Sequence, residues 1–309
     1  MTKKIIIGSF SVVFLIIILA LLLASPKPKI KPSAQILPLV PRQQIDQLTA
    51  KKLVTVKADQ AKIGTPLQTL YFAPILTFHY ISTTSETSSV AIGLHIGPKE
   101  FDKILQGLRK NGYQTVFASD IAAYLARGER PPKNWVALTF DDGYRDFYTN
   151  AMPLLQKYQA KATLFIITAA TGPAYLTPDQ IKDISQSGLV EIGSHTVNHP
   201  MLSKLSAADQ SRELVESKSY LEKLLHEDIS LICYPYGDFD ARVEKLAQQA
   251  GYSFGLTYNH HPLEDSPDMF AIDRVSVWPG MDVIGYLRNL AERNDKLRLA
   301  ASTINNPNK

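Results

Sequence analysis

Seven short apolar, β-branched runs recur along the chain, at 74–81, 135–141, 161–168, 189–195, 229–235, 253–258 and 270–277. Between them lie stretches with helical spacing. Phe101, Ile104, Leu105 and Leu108 fall on one face before Asn111-Gly112. Thr177-Pro178-Asp179-Gln180 is an N-cap with proline at the first helical position, and that stretch ends near Ser187-Gly188. Ser206 to His226 is long and amphipathic, and Asp240 to Ala250 stops at Gly251. Strands that alternate with helices pair in parallel through right-handed crossovers. About seven such units on one chain suit a barrel better than an open sheet, so the expected fold class is α/β, of the TIM-like barrel kind.

Composition fits that reading. The chain is 45% hydrophobic and 20% charged, which is globular rather than disordered. Its formal charge of +4 is concentrated at one end. Lys3, Lys4, Lys27, Lys29 and Lys31 stand within residues 1–31 with no acid among them, leaving 28 basic against 29 acidic residues elsewhere, a net of −1. A near-neutral body excludes a nucleic-acid partner, which needs a basic face. Cys233 is the only cysteine. That excludes an intramolecular disulfide and a thiolate metal cluster, and leaves the hydrophobic core as the source of stability.

The lysines flank the segment Ile5–Ala24, twenty residues interrupted only by Gly8, Ser9 and Ser11. At 1.5 Å rise per residue such a segment matches a bilayer's hydrocarbon core of about 30 Å. A cleaved signal peptide has a shorter apolar region and a small-x-small site, and Leu22-Leu23-Ala24-Ser25 is a poor one. The expected arrangement is a signal anchor over residues 1–25 with an intracellular N-terminus, and a body exposed in the cell envelope; a secreted body is the alternative. Residues 26–72 then form a Pro/Lys-rich spacer and lead-in, carrying Pro26, Pro28, Pro32, Pro38 and Pro41. A catalytic domain over 73–300 and a tail over 301–309 follow.

Chemistry-bearing residues cluster where the apolar runs stop. Trp135–Phe140 ends in Asp141-Asp142-Gly143. Two adjacent carboxylates at the end of a buried strand repel each other unless a cation or proton is shared there. One can ligate a metal while the other stays free as a base; the plainer alternative is a strand closed by an Asp-Gly turn. Glu191-Ile192-Gly193-Ser194-His195-Thr196-Val197-Asn198-His199 again runs from a strand into polar residues. Two histidines four apart meet on one face if the segment turns helically. With one aspartate they make a 2-His-1-carboxylate set with positions left open. In Cys233-Tyr234-Pro235-Tyr236-Gly237-Asp238, Pro235 and Gly237 bend the backbone so that the Tyr236 amide suits an oxyanion contact. His79, in Thr77-Phe78-His79-Tyr80, stands at the end of the first strand, where a histidine suits a general acid. Tyr144, Tyr175 and Trp278 are placed to stack on sugar rings or to pack, and His260 and His261 read as surface residues.

These residues resemble the polysaccharide deacetylase family, carbohydrate esterase family 4, also called the NodB-homology domain, over about residues 73–290. Thr139-Phe140-Asp141-Asp142-Gly143 is similar to the family's first motif and Ser194-His195-Thr196-Val197-Asn198-His199 to its second. The resemblance implies a distorted (β/α)7 barrel and a divalent metal, usually zinc, held by Asp142, His195 and His199. It also implies that Asp141 is the base and that the Tyr236 amide contacts the oxyanion. Many members carry an arginine at the position of Cys233; Tyr234-Pro235-Tyr236-Gly237 is similar instead to the branch acting on poly-N-acetylglucosamine. In that branch the catalytic histidine comes from the N-terminal strand, which makes His79 its counterpart. Arg274, in Ala271-Ile272-Asp273-Arg274-Val275, is the expected substitute for the missing arginine, holding Asp141 ionised.

The activity so implied is removal of N-acetyl groups from an N-acetylglucosamine-containing envelope polysaccharide. An O-acetyl esterase on the same scaffold, and a tethered glycan-binding module with a decayed site, are the alternatives. The partners expected are the glycan polymer and, through the N-terminal segment, the membrane.

Overall fold

The computed structural model describes residues 74–84, 88–258 and 268–305, with side chains described as far as residue 296. All of these fall within one compact unit, Thr49–Lys309. The anchor segment, the spacer, His260 and His261 lie outside the described residues. Among the described residues no helix is long and apolar enough to cross a membrane.

Each of the seven apolar runs contains a strand: β1 Ile75–Phe78, β3 Trp135–Phe140, β4 Ala162–Ile166, β5 Val190–Ser194, β6 Leu231–Cys233, β7 Phe254–Leu256 and β8 Val275–Ser276. An eighth, β2 at Gln114–Val116, lies outside them. All pairings are parallel, in the order β7-β6-β5-β4-β3-β1-β8. Ala137 pairs with both Ile75 and Val116, so β1 and β2 lie on opposite edges of β3. β2 therefore shares its edge with β4, which pairs further along at Thr139 and Phe140. The ends of the order approach each other. Leu256 forms a parallel bridge with Ile272, supported by Thr257 N–H donating to the Ile272 carbonyl at 2.9 Å. Among the described residues β7 and β8 do not pair directly, and β7 meets only the lead into β8, so the sheet is a parallel half-barrel.

Helices cover its outside: α1 Ser89–Leu94, α2 Pro98–Lys110, α3 Ala118–Ala126, α4 Met152–Tyr158, α5 Pro178–Gln186, α6 Ala207–Leu225, α7 Ala241–Ala250 and α8 Val283–Asn305. The last continues past residue 300, the boundary expected for the domain. Their ends follow local chemistry. Thr177 caps α5 and Ser206 caps α6, while Asp240 accepts from Val243 N–H at 2.9 Å to cap α7. Such a cap contributes about 1 kcal/mol. On the inner side of α2, Phe101, Ile104, Leu105 and Leu108 are buried, as their spacing predicts.

Strands covered on both faces read as unbroken apolar runs, and Val136, Ala137, Leu138 and Phe140 are all fully buried. The period of two then sorts the faces. Leu76, Phe78, Val136, Leu138, Phe140 and Leu164 join the outer, helix-packed core. Ala137, Phe165, Leu231 and Cys233 join the second, inner cluster. Continuing the inner parity past the strand ends reaches Asp141 after β3 and His195 after β5. Both arrive at the carboxyl end of the sheet facing inward.

Candidate active site

The Asp-Asp-Gly turn is built from two consecutive left-handed residues. Asp142 has φ 72° and Gly143 φ 73°. For an aspartate this conformation costs on the order of 1 kcal/mol and needs support from its surroundings. Gly143 is needed twice over, since a Cβ there would stand 3.0 Å from the Ile166 side chain. Asp141 and Asp142 are both buried, 4% and 7% exposed, so neither is a solvated turn carboxylate.

Asp141 is satisfied by the chain itself. Arg274, immediately ahead of β8, donates from its two terminal nitrogens to Asp141 Oδ1 and Oδ2, both at 2.8 Å. The guanidinium is only 1% exposed, and it also donates to the Thr257 carbonyl at 3.1 Å and to Thr139 Oγ1 at 3.0 Å. Burial pushes the Asp141 carboxyl up, but the charge and hydrogen bonds of Arg274 win and hold it well below the usual carboxylate range. A planar fork on a carboxylate is the geometry that makes arginine suited to this position. Cys233 supplies the room: its Sγ lies 2.9 Å from the same guanidinium and 3.7 Å from Asp141 Oδ2. Burial pushes its thiol up, so it packs as a neutral group.

Asp142 is in the opposite situation. Its Oδ1 is buried and has no hydrogen-bond partner. It lies 3.4 Å from His195 Nε2 and 3.3 Å from His199 Nε2. His195 Nδ1 is 2.7 Å from the Cys233 carbonyl, which can only accept, so Nδ1 carries the proton. Burial pushes His195 down, but the Cys233 group and the Asp142 carboxylate win and hold it well above the ordinary imidazole range, and a cation bound at Nε2 would take the place of that proton. Burial, reinforced by the His195 imidazole, pushes His199 down to about 4, which keeps it neutral near pH 7. Potential ligand atoms from three residues thus converge within 4.8 Å of one another. That donor set fits a divalent cation. Asp141, His195 and Cys233 form a second cluster of the same span. There the Arg274 guanidinium already occupies the space between carboxylate and sulfur, so a cation is repelled.

The two histidines do not meet through a helical turn, as their spacing suggested. Thr196 has φ 68° and His199 φ 58°, which no right-handed helix accommodates. The loop folds back instead, with Thr196 Oγ1 accepting from His199 N–H at 3.0 Å. Gly193, on the inner face of β5, has no room for a side chain: a Cβ would meet the Phe165 ring at 2.5 Å.

His79 stands just past β1, partly buried, with Asp141 and Asp142 among its electrostatic neighbours. Burial lowers its pKa, and the two aspartates oppose that shift. Tyr236 adopts a left-handed conformation at φ 60° between Pro235 and Gly237, is 58% exposed, and lays its ring 4.6 Å from that of His199. Trp278 is exposed. Tyr144 and Tyr175 are not open platforms to the same degree. Tyr144 is stacked between Tyr80 at 3.8 Å and Tyr175 at 5.3 Å, and Tyr80 in turn stacks on His95 at 4.1 Å. The Tyr144 ring is thus engaged in packing with its aromatic neighbours.

The gap at Cys233 was the sign from which the sequence analysis placed Arg274 against Asp141, and the two do pair. What sequence reasoning missed was Thr139, on the inner parity of β3, whose Oγ1 accepts from the same guanidinium.

A buried carboxylate pair of which one member is ion-paired and the other joins two imidazoles, at the carboxyl end of a parallel half-barrel, defines a hydrolase site. Comparison with known proteins agrees. The family model described as polysaccharide deacetylase matches residues 128–255. YxkH of Bacillus subtilis (strain 168), named for that same family, is 35% identical over 209 residues, covering 67% of this chain and 72% of that protein. The poly-β-1,6-N-acetyl-D-glucosamine N-deacetylase of Staphylococcus aureus (strain MSSA476) is 24% identical over 213 residues, covering 64% and 72%. Among solved structures, the Streptococcus pyogenes deacetylase PplD, in complex with acetate, superimposes with a TM-score of 0.66 at 34% identity, covering 72% of this chain and 99% of PplD. The chain belongs to the polysaccharide deacetylase family, a family of hydrolases.

Proposed function

We propose that this protein is a metal-dependent deacetylase that removes N-acetyl groups from an N-acetylglucosamine-containing polysaccharide of the cell envelope. The single observation that carries the reading is the buried, unpartnered Asp142 Oδ1 facing two imidazole nitrogens beside a fully ion-paired Asp141. Asp142, His195 and His199 would hold the cation, with zinc favoured by two imidazoles and one carboxylate. A divalent cation in such a site brings the pKa of water toward neutrality and polarises a carbonyl.

The chain's own residues do the rest. Asp141, ionised through Arg274, takes the proton of the attacking water. The Tyr236 backbone N–H, in the tight turn between Pro235 and Gly237, donates to the oxyanion that develops on the acetamide oxygen. His79 delivers a proton to the departing nitrogen, without which the C–N bond does not break, because an amide anion is a very poor leaving group. The products are acetate and a glycan bearing a free amine.

The name of the S. aureus relative, together with the Tyr234-Pro235-Tyr236-Gly237 turn, favours a poly-N-acetylglucosamine-like substrate. The apolar segment Ile5–Ala24 favours a body tethered outside the membrane. The test is acetate release from poly-N-acetylglucosamine, chitin oligomers, peptidoglycan and an O-acetylated xylan assayed side by side. Release from the first above the other three is expected; release only from an O-acetylated glycan overturns the reading.

A further inference from the structure

The loop that presents His195 and His199 contains two left-handed residues, Thr196 and His199, whose conformation needs support from its surroundings. Two carbonyls of the loop are taken by the segment after β4: Thr168 N–H donates to Thr196 at 3.1 Å and Ala169 N–H to Val197 at 2.9 Å. The amide groups face the other way, into α6. There Glu213, 4% exposed in the middle of the helix, accepts three bonds. Val197 N–H and Asn198 N–H both donate to its Oε2, at 2.9 and 2.8 Å, and Asn198 Nδ2 donates to Oε1 at 2.7 Å.

We infer that Glu213 is a positioning residue of the metal centre: its carboxylate fixes the backbone of Val197 and Asn198 and thereby sets the distance between the imidazoles of His195 and His199. It touches neither imidazole and neither aspartate. Its action runs through two backbone N–H groups that sit between the two ligands in sequence. A buried glutamate on a helix is costly unless its oxygens are hydrogen-bonded. Here both oxygens are engaged by three bonds from one loop, and the loop gains an anchor on a nineteen-residue helix. Ser217, one turn further along, extends the same support by bonding Ser194 Oγ at 2.8 Å, at the loop's entry.

This inference rests on the reading of Asp142, His195 and His199 as metal ligands. The test is a Zn2+ titration of the full 309-residue chain in detergent against a competing chelator, with the thermal melt of each metal-free variant recorded in parallel. Glu213→Ala removes all three bonds and is expected to weaken Zn2+ binding roughly 10–100-fold, the usual cost of losing a group that orients a metal ligand. Glu213→Gln keeps one oxygen for the two backbone N–H groups, and rotation of the Asn198 amide offers its oxygen to the new NH2. Its affinity is therefore expected within a few-fold of wild type. Glu213→Asp keeps the charge but shortens the reach by one methylene, and is expected to fall between the two; it carries the test if Glu213→Ala does not fold.

A Glu213→Ala or Glu213→Asp chain that melts earlier than wild type yet binds Zn2+ with unchanged affinity while folded overturns the inference, because a purely structural glutamate behaves that way. So does a Glu213→Gln chain as weak as Glu213→Ala. A wild-type chain that takes up no Zn2+ overturns the metal assignment itself and is read from the wild-type arm alone.

Discussion

Asp141 and Asp142 are adjacent in sequence and both buried, and they differ in what completes them. Asp141 has a whole guanidinium, with two bonds of 2.8 Å. Asp142 has an oxygen with no hydrogen bond and two imidazole nitrogens at 3.3–3.4 Å. The difference arises from the turn between them. Asp141 keeps the inner parity of β3 and meets Arg274, which enters ahead of β8; Asp142, in a left-handed conformation, is turned toward the loop after β5. In the proposed reading, one carboxylate is completed within the chain and serves as the base, and the other would be completed by a cation.

The sharpest way to break this contrast is to remove a ligand on the Asp142 side. His195→Ala is expected to lower bound metal from about one per chain to near zero and to abolish acetate release, as read by elemental analysis and an acetate assay. Asp141→Asn attacks the other side. It should keep the metal while turnover falls by roughly 10²–10⁴-fold, the range for loss of a positioned base. Equal metal and equal activity in both variants would remove the distinction between the two aspartates.

Arg274→Gln sharpens the contrast through pH. In the wild type, Arg274 outweighs burial and holds the folded pKa of Asp141 below its unfolded value. The pair's stabilisation is thus full above the ordinary carboxylate range and is lost as the pH falls below it. Without the guanidinium, burial is opposed only by the weaker pull of His195 and His79, and the pKa rises. The acidic limb of kcat/KM should then move to higher pH, with the deficit greatest at low pH and shrinking as the pH rises. Breaking a buried ion pair on one side also costs about 3–5 kcal/mol, measurable as a lower denaturation midpoint. A smaller effect is expected from stripping the metal. If the ion is present at 100 times its Kd, a chelator should reduce stability by about 2.7 kcal/mol and lower the Tm accordingly. Smallest of all should be Cys233→Ser, which keeps a polar atom of similar size against Arg274 and should leave turnover within a few-fold of wild type.

Much of this was legible in the sequence, for physical reasons that differ between elements. Strands buried on both faces announce themselves as apolar runs, and the long helix α6 announces itself through Ser206, its apolar stripe and His226. β2 did not, because Gln114–Val116 has three residues of which only Val116 is buried. α4 was hidden by Pro153 and by the π-helical turn Phe147–Ala151 that leads into it. In the site, motif residues at strand ends stand out because a buried strand that stops in acids or imidazoles is unusual. The convergence of His195 and His199 through left-handed kinks could not be read, since Thr196 and His199 carry no signal for positive φ. Glu213 was invisible for a simpler reason: between Arg212 and Glu216 on an amphipathic helix, a glutamate reads as part of the solvated face.

The central claim is that one cation is shared by Asp142, His195 and His199 and excluded from Asp141. Anomalous diffraction at the zinc edge, on crystals of the Zn2+-loaded protein, tests it most directly. The account predicts a single strong peak within bonding distance of Asp142 Oδ1 and the Nε2 atoms of both histidines, with the Arg274–Asp141 pair intact. A peak bound by Asp141 and Cys233, with Arg274 displaced, or no peak in a protein that still releases acetate, would contradict it.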